Sequence, residues 1–262
     1  MTILLATGSS GYLLSRLRSD YAQLTSDIDL SIQTLTAETP IPEQSTVLLA
    51  GWPTRLNYDS TDHLDFLDSC FFPLMRRISE SPGSRVITFG TCLEYGISNL
   101  HCHEDFPVTP TCNLGIAKAR IPDLADSLNL QYCHLRIFYP YNFDHPRDRT
   151  LLHYLSQHIA SATSEPFPCS LGFQLRDFFH TSVLTRAIAS LKDQSWDSIP
   201  QIVNICSGIP RNVRDIMTRY VRYHNESVSF NYGEVPMPTY EPLNFYGSAA
   251  RLARLVNPSY IF

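Results

Sequence analysis

The stretch Thr2-Ile-Leu-Leu-Ala-Thr-Gly-Ser-Ser-Gly-Tyr-Leu-Leu14 decides how this chain folds. A short apolar run is followed by a glycine-bearing turn and then by an amphipathic segment, an order that predicts a strand, a loop and a helix. The N–H groups of such a loop and the positive end of the helix can face a pyrophosphate, although an ordinary strand-to-helix turn has the same pattern. The candidate cofactor-binding residues of this loop are Thr7, Gly8, Ser9, Ser10 and Gly11.

The rest of the chain repeats this alternation of apolar runs and amphipathic segments. Further strands are predicted at residues 28–35, 46–51, 85–89, 132–138 and 201–205. Helices are predicted at residues 63–79, 113–128, 150–162, 181–192 and 213–223. This alternation is typical of the α/β class, and it predicts a Rossmann-type doubly wound parallel sheet covered by helices on both faces.

The character of the sequence changes at Pro140, after which prolines and aromatic residues mix with short helical segments. We therefore expect a dinucleotide-binding core in residues 1–139 and a small C-terminal substrate-binding lobe in residues 140–262. The two parts are expected to be interleaved, because the strand near residues 201–206 returns to the sheet of the core.

Composition excludes several classes of protein. The 262 residues are 44% hydrophobic, which excludes disorder over most of the length, and the net charge of −5 argues against a nucleic-acid-binding surface. Seven scattered cysteines without a C-x-x-C pair predict reduced thiols in a cytoplasmic protein and no metal site. The apolar runs are too short for a signal peptide or a transmembrane helix, so no membrane partner is expected.

Six segments carry recognisable motifs in a fixed order. They are Thr7-Gly-Ser-Ser-Gly-Tyr-Leu-Leu14, Val86-Ile-Thr-Phe-Gly-Thr-Cys-Leu-Glu-Tyr-Gly96, residues 110–118, Leu135-Arg-Ile-Phe138, Gln174-Leu-Arg-Asp-Phe-Phe-His180 and Val203-Asn-Ile-Cys-Ser-Gly208. Together they resemble the extended short-chain dehydrogenase/reductase family, in particular its NAD-dependent epimerase/dehydratase group. The Gly-Thr-Cys-x-Glu-Tyr run is most similar to reductases and dehydrogenases of nucleotide-linked 4-keto-6-deoxyhexoses.

The resemblance implies roles for individual residues. In the family a Tyr exchanges a proton with the sugar, a Lys four residues later holds the nicotinamide ribose and lowers the pKa of that Tyr, and a Ser or Thr bonds the same sugar oxygen. Thr91 and Lys118 match the hydroxyl and lysine positions. Arg176 matches a residue facing the nucleotide diphosphate, with a structural role as the alternative. Tyr139 lies where the family often has a substrate-contacting Asn.

Two leucines depart from the family pattern. Leu114 occupies the position of the Tyr, four residues before Lys118, and a leucine cannot exchange a proton. Tyr139 is therefore also a candidate for the missing acid, whereas Tyr95 is interpreted as structural. Leu14 occupies the position of the third glycine of the opening motif. In the family, that glycine lets the helix pack closely beside the cofactor.

The region between residues 35 and 47, on the adenosine side, is expected to be shortened to a proline-rich loop.

Two functions follow from the resemblance. The first is an NAD- or NADP-dependent oxidoreductase or epimerase acting on a nucleotide-linked 4-keto-6-deoxy sugar, with an atypical active site. The second is a catalytically impaired partner or regulatory protein that still binds a nucleotide or a nucleotide sugar. We favour the enzyme, because Thr91 and Lys118 are both retained. A homodimer paired through residues 63–79 and 113–128 is also implied.

Overall fold

The computed structural model describes residues 4–7, 11–24, 32–34, 39–53, 56–97, 101–237 and 242–261. Its strands are β1 (Leu4–Thr7), β2 (Ile32–Thr34), β3 (Thr46–Leu49), β4 (Arg85–Thr91), β5 (His101–Cys102), β6 (Gln131–Ile137), β7 (Tyr139–Tyr141), β8 (Phe167–Cys169), β9 (Leu175–His180), β10 (Ile202–Ile205), β11 (Pro210–Asn212), β12 (Phe230–Tyr232) and β13 (Asn244–Gly247). Its helices are α1 (Tyr12–Leu24), α2 (Asp62–Phe66), α3 (Phe72–Ser79), α4 (Asn113–Ser127), α5 (Leu151–Ala160), α6 (Thr181–Asp193), α7 (Val213–Tyr223) and α8 (Leu252–Leu255).

Six strands form one parallel sheet in the order β10-β6-β4-β3-β1-β2. Successive side chains of a strand point to opposite faces, so Leu48 and Ile87 pack in one apolar cluster and Val47 and Val86 in the other. The first cluster also contains residues of α1 and α6, and the second contains residues of α3 and α4. This doubly wound parallel sheet confirms the fold class predicted from the sequence.

Within the described residues the large sheet ends at β2. The predicted strand at residues 28–35 is confirmed over Ile32–Thr34, and its other residues lie outside the described part. Residues 39–45 of the connection to β3 contain a turn but neither a helix nor a strand. Residues 39–45, the described portion of the connection between β2 and β3, thus form a loop as the prolines predicted.

The predicted helix at residues 63–79 is interrupted in the structure. A π-helical turn at Leu67–Phe71 separates α2 from α3, and the N–H of Phe72 donates to the carbonyl of Leu67. Pro73 follows at once and has no N–H to donate, so the regular ladder of hydrogen bonds cannot continue through this position. The wider turn still buries Leu67 and Phe71 against the sheet.

The residues after 140, together with β5 and Tyr139, build two smaller sheets. One has β11, β9, β13 and β5 in that order with β7 paired to β9, and the other has β12 and β8. The carboxylate of Asp177 in β9 joins the first of these sheets to the loop that follows the large sheet's strand β10. It accepts hydrogen bonds from the Ser207 N–H (2.6 Å) and hydroxyl (2.7 Å), from the Gly208 N–H (3.0 Å) and from the Gly247 N–H (3.1 Å). Asp177 thus connects the loop after β10 to β13.

Replacing the Asp177 carboxylate should destabilise this junction. In Asp177→Asn one carboxylate oxygen becomes an NH₂ group, which cannot accept from the N–H donors that face it. We expect a loss of about 2–4 kcal/mol in the free energy of unfolding, measured by urea denaturation. The matched control is Asp68→Asn, whose exposed bridge to Arg120 is expected to contribute less than about 1 kcal/mol. Equal losses in the two variants would contradict this assignment.

Candidate functional site

A cleft of about 870 Å³ lies at the carboxyl ends of the large sheet's strands and continues into the residues after 140. Ligands of open α/β sheets bind at this edge. Five of the predicted site residues border the cleft: Gly11, Thr91, Lys118, Tyr139 and Arg176. Thr7 borders a neighbouring apolar cavity of about 400 Å³ that shares Trp52 with the cleft. Gly8, Ser9 and Ser10 lie outside the described residues.

Thr91 is placed at the cleft by the end of β4. Its hydroxyl accepts a hydrogen bond from the Leu93 N–H (3.3 Å), and its own N–H donates to Glu94 Oε1 (2.8 Å). These reciprocal bonds form a capping box on the short turn that follows, so the backbone around Thr91 is held from two directions.

The Glu94 side chain is fully buried beneath Thr91 in a charged cluster. Its carboxylate accepts from Arg136 Nε (2.8 Å) and contacts His134 Nε2 (3.1 Å), while His134 Nδ1 bonds the Thr88 hydroxyl (2.7 Å). Burial alone would raise the pKa of Glu94, but its contacts with His134 and Arg136 outweigh this and hold the pKa at about 2. Glu94 is therefore ionised behind the cleft wall, and the guanidinium of Arg136 balances its charge.

Lys118 extends from α4 to the same wall. Its Nζ donates to the Phe89 carbonyl at 2.6 Å, two residues before Thr91. The side chain is almost completely buried, and this burial lowers the pKa of Lys118 from 10.5 to about 7 against the opposing charge of Glu94. Thr91 and Lys118, predicted as a pair, are thus brought to one wall by different elements.

Trp52 is a cleft residue that sequence reasoning missed. Its ring lies 3.7 Å from Lys118 Nζ in a cation–π contact, and its indole N–H donates to His63 Nδ1 at 3.2 Å. Phe66 and Phe71 pack edge-on against the ring. In the sequence, Gly51-Trp52-Pro53 only marks the end of a strand, so the one available signal was a large aromatic at a strand's carboxyl end.

Leu114 borders the cleft at the first turn of α4, as its place in the motif predicts. Its N–H donates to the Tyr58 carbonyl at 2.8 Å, and the neighbouring Asn113 amide donates to the Asp59 carbonyl at 2.6 Å. The helix register is therefore fixed by the loop before α2. Tyr58 itself also borders the cleft and was not singled out by the sequence.

The residues after 140 supply the opposite wall. The Tyr139 ring packs on Phe178 and lies 5.5 Å from the Arg176 guanidinium, while the Tyr139 hydroxyl oxygen is buried. Arg176 also donates to the Leu175 carbonyl at 2.8 Å. Arg147 and Arg149, two further arginines without a recognisable motif, border the cleft on this side.

Two other predicted features have clear positions. Tyr95 is buried, and its hydroxyl donates to Asn204 Oδ1 at 2.8 Å, in agreement with a structural role. Leu14 is also buried, within the cluster between α1 and the sheet, and it borders the cleft. The preceding Tyr12 donates from its hydroxyl to the His145 carbonyl at 3.0 Å, which ties the start of α1 to the loop after β7.

The fold and this cleft define the class: an α/β protein with a Rossmann-type, doubly wound parallel sheet and a second set of sheets over the carboxyl edge. No protein-family model and no curated protein sequence matches the chain. None of the helices in the described ranges is both long and apolar enough to cross a membrane.

Solved structures do match over nearly the whole chain. TunA, an NAD-dependent NDP-hexosamine 5,6-dehydratase of tunicamycin biosynthesis, is 19% identical with a TM-score of 0.74, covering 98% of this chain and 91% of its own. The UDP-glucuronic acid 4-epimerase from Bacillus cereus, bound to UDP-glucuronic acid and NAD, is 16% identical with a TM-score of 0.74, covering 99% and 93%. RMD from Pseudomonas aeruginosa, complexed with NADPH, is 13% identical with a TM-score of 0.71, covering 99% and 97%. These likenesses confirm the fold that the motifs implied.

The lowered pKa of Lys118 predicts a specific pH dependence of stability. Because its pKa is about 7 in the folded protein and near 10.5 in the unfolded chain, the unfolded chain binds more protons between these values, so stability rises with pH across this window. Lys118→Met removes the buried charge and therefore its pH-dependent cost to stability. We expect the variant to be more stable than the parent by about 1–3 kcal/mol at or below pH 7, with the difference shrinking towards pH 10. Urea denaturation at several pH values measures this, and a constant difference would contradict it.

Proposed function

We propose that this protein binds NAD or NADP together with a nucleotide-linked sugar in the cleft, and that it acts on the sugar as an oxidoreductase or epimerase. The observation that carries the proposal is the meeting of Thr91 and Lys118 at one cleft wall, with Lys118 bonded to the backbone two residues before Thr91. A 4-keto-6-deoxyhexose is the proposed sugar, because the Gly-Thr-Cys-x-Glu-Tyr run resembles reductases of such substrates.

The residues present fit a nicotinamide dinucleotide. An ammonium group has three N–H donors, and the Phe89 carbonyl uses one of them, so Lys118 can also donate to ribose hydroxyls. The amino end of α1, at Gly11 and Tyr12, borders the same cleft and suits a pyrophosphate. The apolar cavity beside Trp52 suits an adenine ring. When bound, the cofactor would supply or accept the hydride, and Thr91 would hydrogen-bond the reacting sugar oxygen.

The substrate side of the cleft suits an anionic nucleotide. Arg147, Arg149 and Arg176 border it, and guanidinium groups bind diphosphate oxygens in a bidentate manner. The B. cereus epimerase holds UDP-glucuronic acid, and its fold matches this chain over 99% of the length. In our proposal residues 1–139 bind the dinucleotide, and residues 140–262, with Tyr139 at the boundary, bind the sugar nucleotide.

The proposal also includes assembly and location. Seven free cysteines, six of them buried, suit a reducing cytoplasm. A homodimer would form through α2, α3 and α4, the helices that flank one face of the sheet, and light scattering of the purified protein tests it. Neither property is needed for the reaction itself.

Cofactor binding can be measured through Trp52. The chain has two tryptophans, and only Trp52 borders the cleft, whereas Trp196 is buried against Arg85 outside the cleft lining. We expect NADPH to quench the tryptophan emission and to gain energy-transfer emission of its own. Trp52→Phe should lose most of this signal, and the control Trp196→Phe should keep it. No quenching at millimolar NADH or NADPH would refute the proposed function.

The missing phenol gives a second test. Leu114→Tyr places a hydroxyl four residues before Lys118. In a protein where no other group supplies the proton, we expect it to create or raise turnover of a 4-keto-6-deoxy nucleotide sugar by about tenfold or more. Leu114→Phe is the matched control, because it adds the ring without the hydroxyl. Turnover is followed by NADPH absorbance. An active parent whose rate does not change in Leu114→Tyr would show that another group already supplies the proton.

A further inference from the structure

The proposed reaction requires a proton donor that α4 does not provide. Reducing a sugar ketone adds a hydride to carbon and a proton to oxygen, and the leucine at position 114 has no proton to give. Thr91 and Lys118 remain at the wall, so the position for the reacting oxygen is still defined. The following inference rests on the proposed function and identifies the group that replaces the lost phenol.

The loop before α2 brings the Tyr58 backbone against the first turn of α4, and Tyr58 borders the cleft there. The Tyr58 carbonyl accepts from the Leu114 N–H at 2.8 Å, so these two residues are neighbours at the first turn of α4. The Asp59 carbonyl accepts from the Asn113 amide, and the Asn57 carbonyl is 3.1 Å from Nε2 of the buried His63. Three consecutive loop residues are therefore anchored, and Tyr58 is half-buried at the cleft beside Leu114.

Other tyrosines near the cleft contact other parts of the protein. Tyr95 is buried in the interior, where its hydroxyl donates to Asn204, and Tyr12 lies at the start of α1, where its hydroxyl donates to the His145 carbonyl. Tyr139 has a buried hydroxyl oxygen beneath the Arg176 side of the cleft. Tyr141 packs against Phe143 and His180 on the same far wall. Among the described tyrosines that border the cleft, Tyr58 is the one whose backbone carbonyl accepts from the Leu114 N–H.

We propose that Tyr58 is the proton donor of this active site, in place of the tyrosine that α4 lacks. When bound, the reduced nicotinamide would supply the hydride of the new C–H bond and would itself be oxidised. As the C=O π bond breaks, the Tyr58 hydroxyl would give its proton to the carbonyl oxygen, so that the sugar becomes an alcohol, and the Tyr58 phenolate would regain a proton from water. In the oxidative direction the same phenolate accepts the hydroxyl proton.

Tyr58→Phe tests this role while keeping the ring. With dTDP-4-keto-6-deoxyglucose, UDP-glucose and UDP-glucuronic acid as the substrates tried, we expect kcat to fall about 10²-fold or more, with KM changed less than threefold. NADPH affinity, read from the Trp52 emission, should stay within twofold of the parent. The matched control is Tyr246→Phe, a half-buried tyrosine stacked on His101 outside the cleft, which should keep the parent's kcat.

A rescue variant separates lost chemistry from a damaged fold. Leu114→Tyr in the Tyr58→Phe background adds a phenol at the same wall. We expect the kcat of this double variant to be at least tenfold higher than that of Tyr58→Phe. Leu114→Phe in that background should recover nothing. Equal kcat in the two double variants would overturn the role of Tyr58, since it would show that the hydroxyl is not what was missing.

A chemical readout places Tyr58 without relying on turnover. Tetranitromethane nitrates accessible phenols, and mass spectrometry of the Tyr58 peptide measures the extent. We expect NADPH with UDP to reduce nitration of Tyr58 at least fivefold and to leave Tyr246 unchanged. If NADPH and UDP do not protect Tyr58 from nitration in a protein that binds NADPH, the role of Tyr58 is overturned and the proposed function is not. An unchanged kcat in Tyr58→Phe has the same consequence. A protein that binds no NADPH, or binds it and turns over no sugar, overturns the proposed function and this role with it.

Discussion

The buried carboxylate of Glu94 is the group around which the cleft wall at Thr91 is organised. It bonds the Thr91 N–H, Arg136 and His134 at once, so a single side chain connects the end of β4 to two residues of β6. Removing one partner of a buried charged pair costs roughly 3–5 kcal/mol, because the other charge is left without compensation. Gly90 leaves room for these side chains, because a Cβ at this position would clash with both Glu94 Oε1 and His134 Nε2. Besides Gly90, which borders the cleft, the wall therefore depends on Glu94, His134 and Arg136, which are not among the residues that line the cleft.

Lys118 depends on the same arrangement. Its ammonium is buried between the Phe89 carbonyl and the Trp52 ring, and burial lowers its pKa to about 7 even though Glu94 lies near. A methionine at this position would avoid the free-energy cost of burying a charge. The charge of Lys118 therefore destabilises the folded protein. A buried lysine with a lowered pKa, facing a cleft at the carboxyl edge of a parallel sheet, is what a binding or catalytic role would require.

Much of this fold could be predicted because its signals are local. The apolar run at residues 85–89 and the helical pattern at 113–128 place Thr91 and Lys118 on a strand end and a helix, and the parallel topology then brings them to one edge. Trp52 was missed because its contact with Lys118 joins segments far apart in sequence. Arg147 and Arg149 lie in a loop without periodicity, and nothing local indicates which way such a loop turns. The departure at Leu114 was visible in the sequence, but its neighbour in the loop before α2 was not.

The leucine at position 114 does not by itself decide the function. Catalytic groups in an α/β fold are recognised by where they meet in space, and the element that supplies each group can change. Here the first turn of α4 has an N–H that needs a partner, and the loop before α2 provides it through the Tyr58 carbonyl. A backbone hydrogen bond that the helix requires for its own stability therefore also fixes a phenol-bearing residue beside the cleft. With a leucine at position 114, the cleft wall still holds a hydroxyl, a cation and an adjacent tyrosine, which are the three groups that the proposed reaction needs.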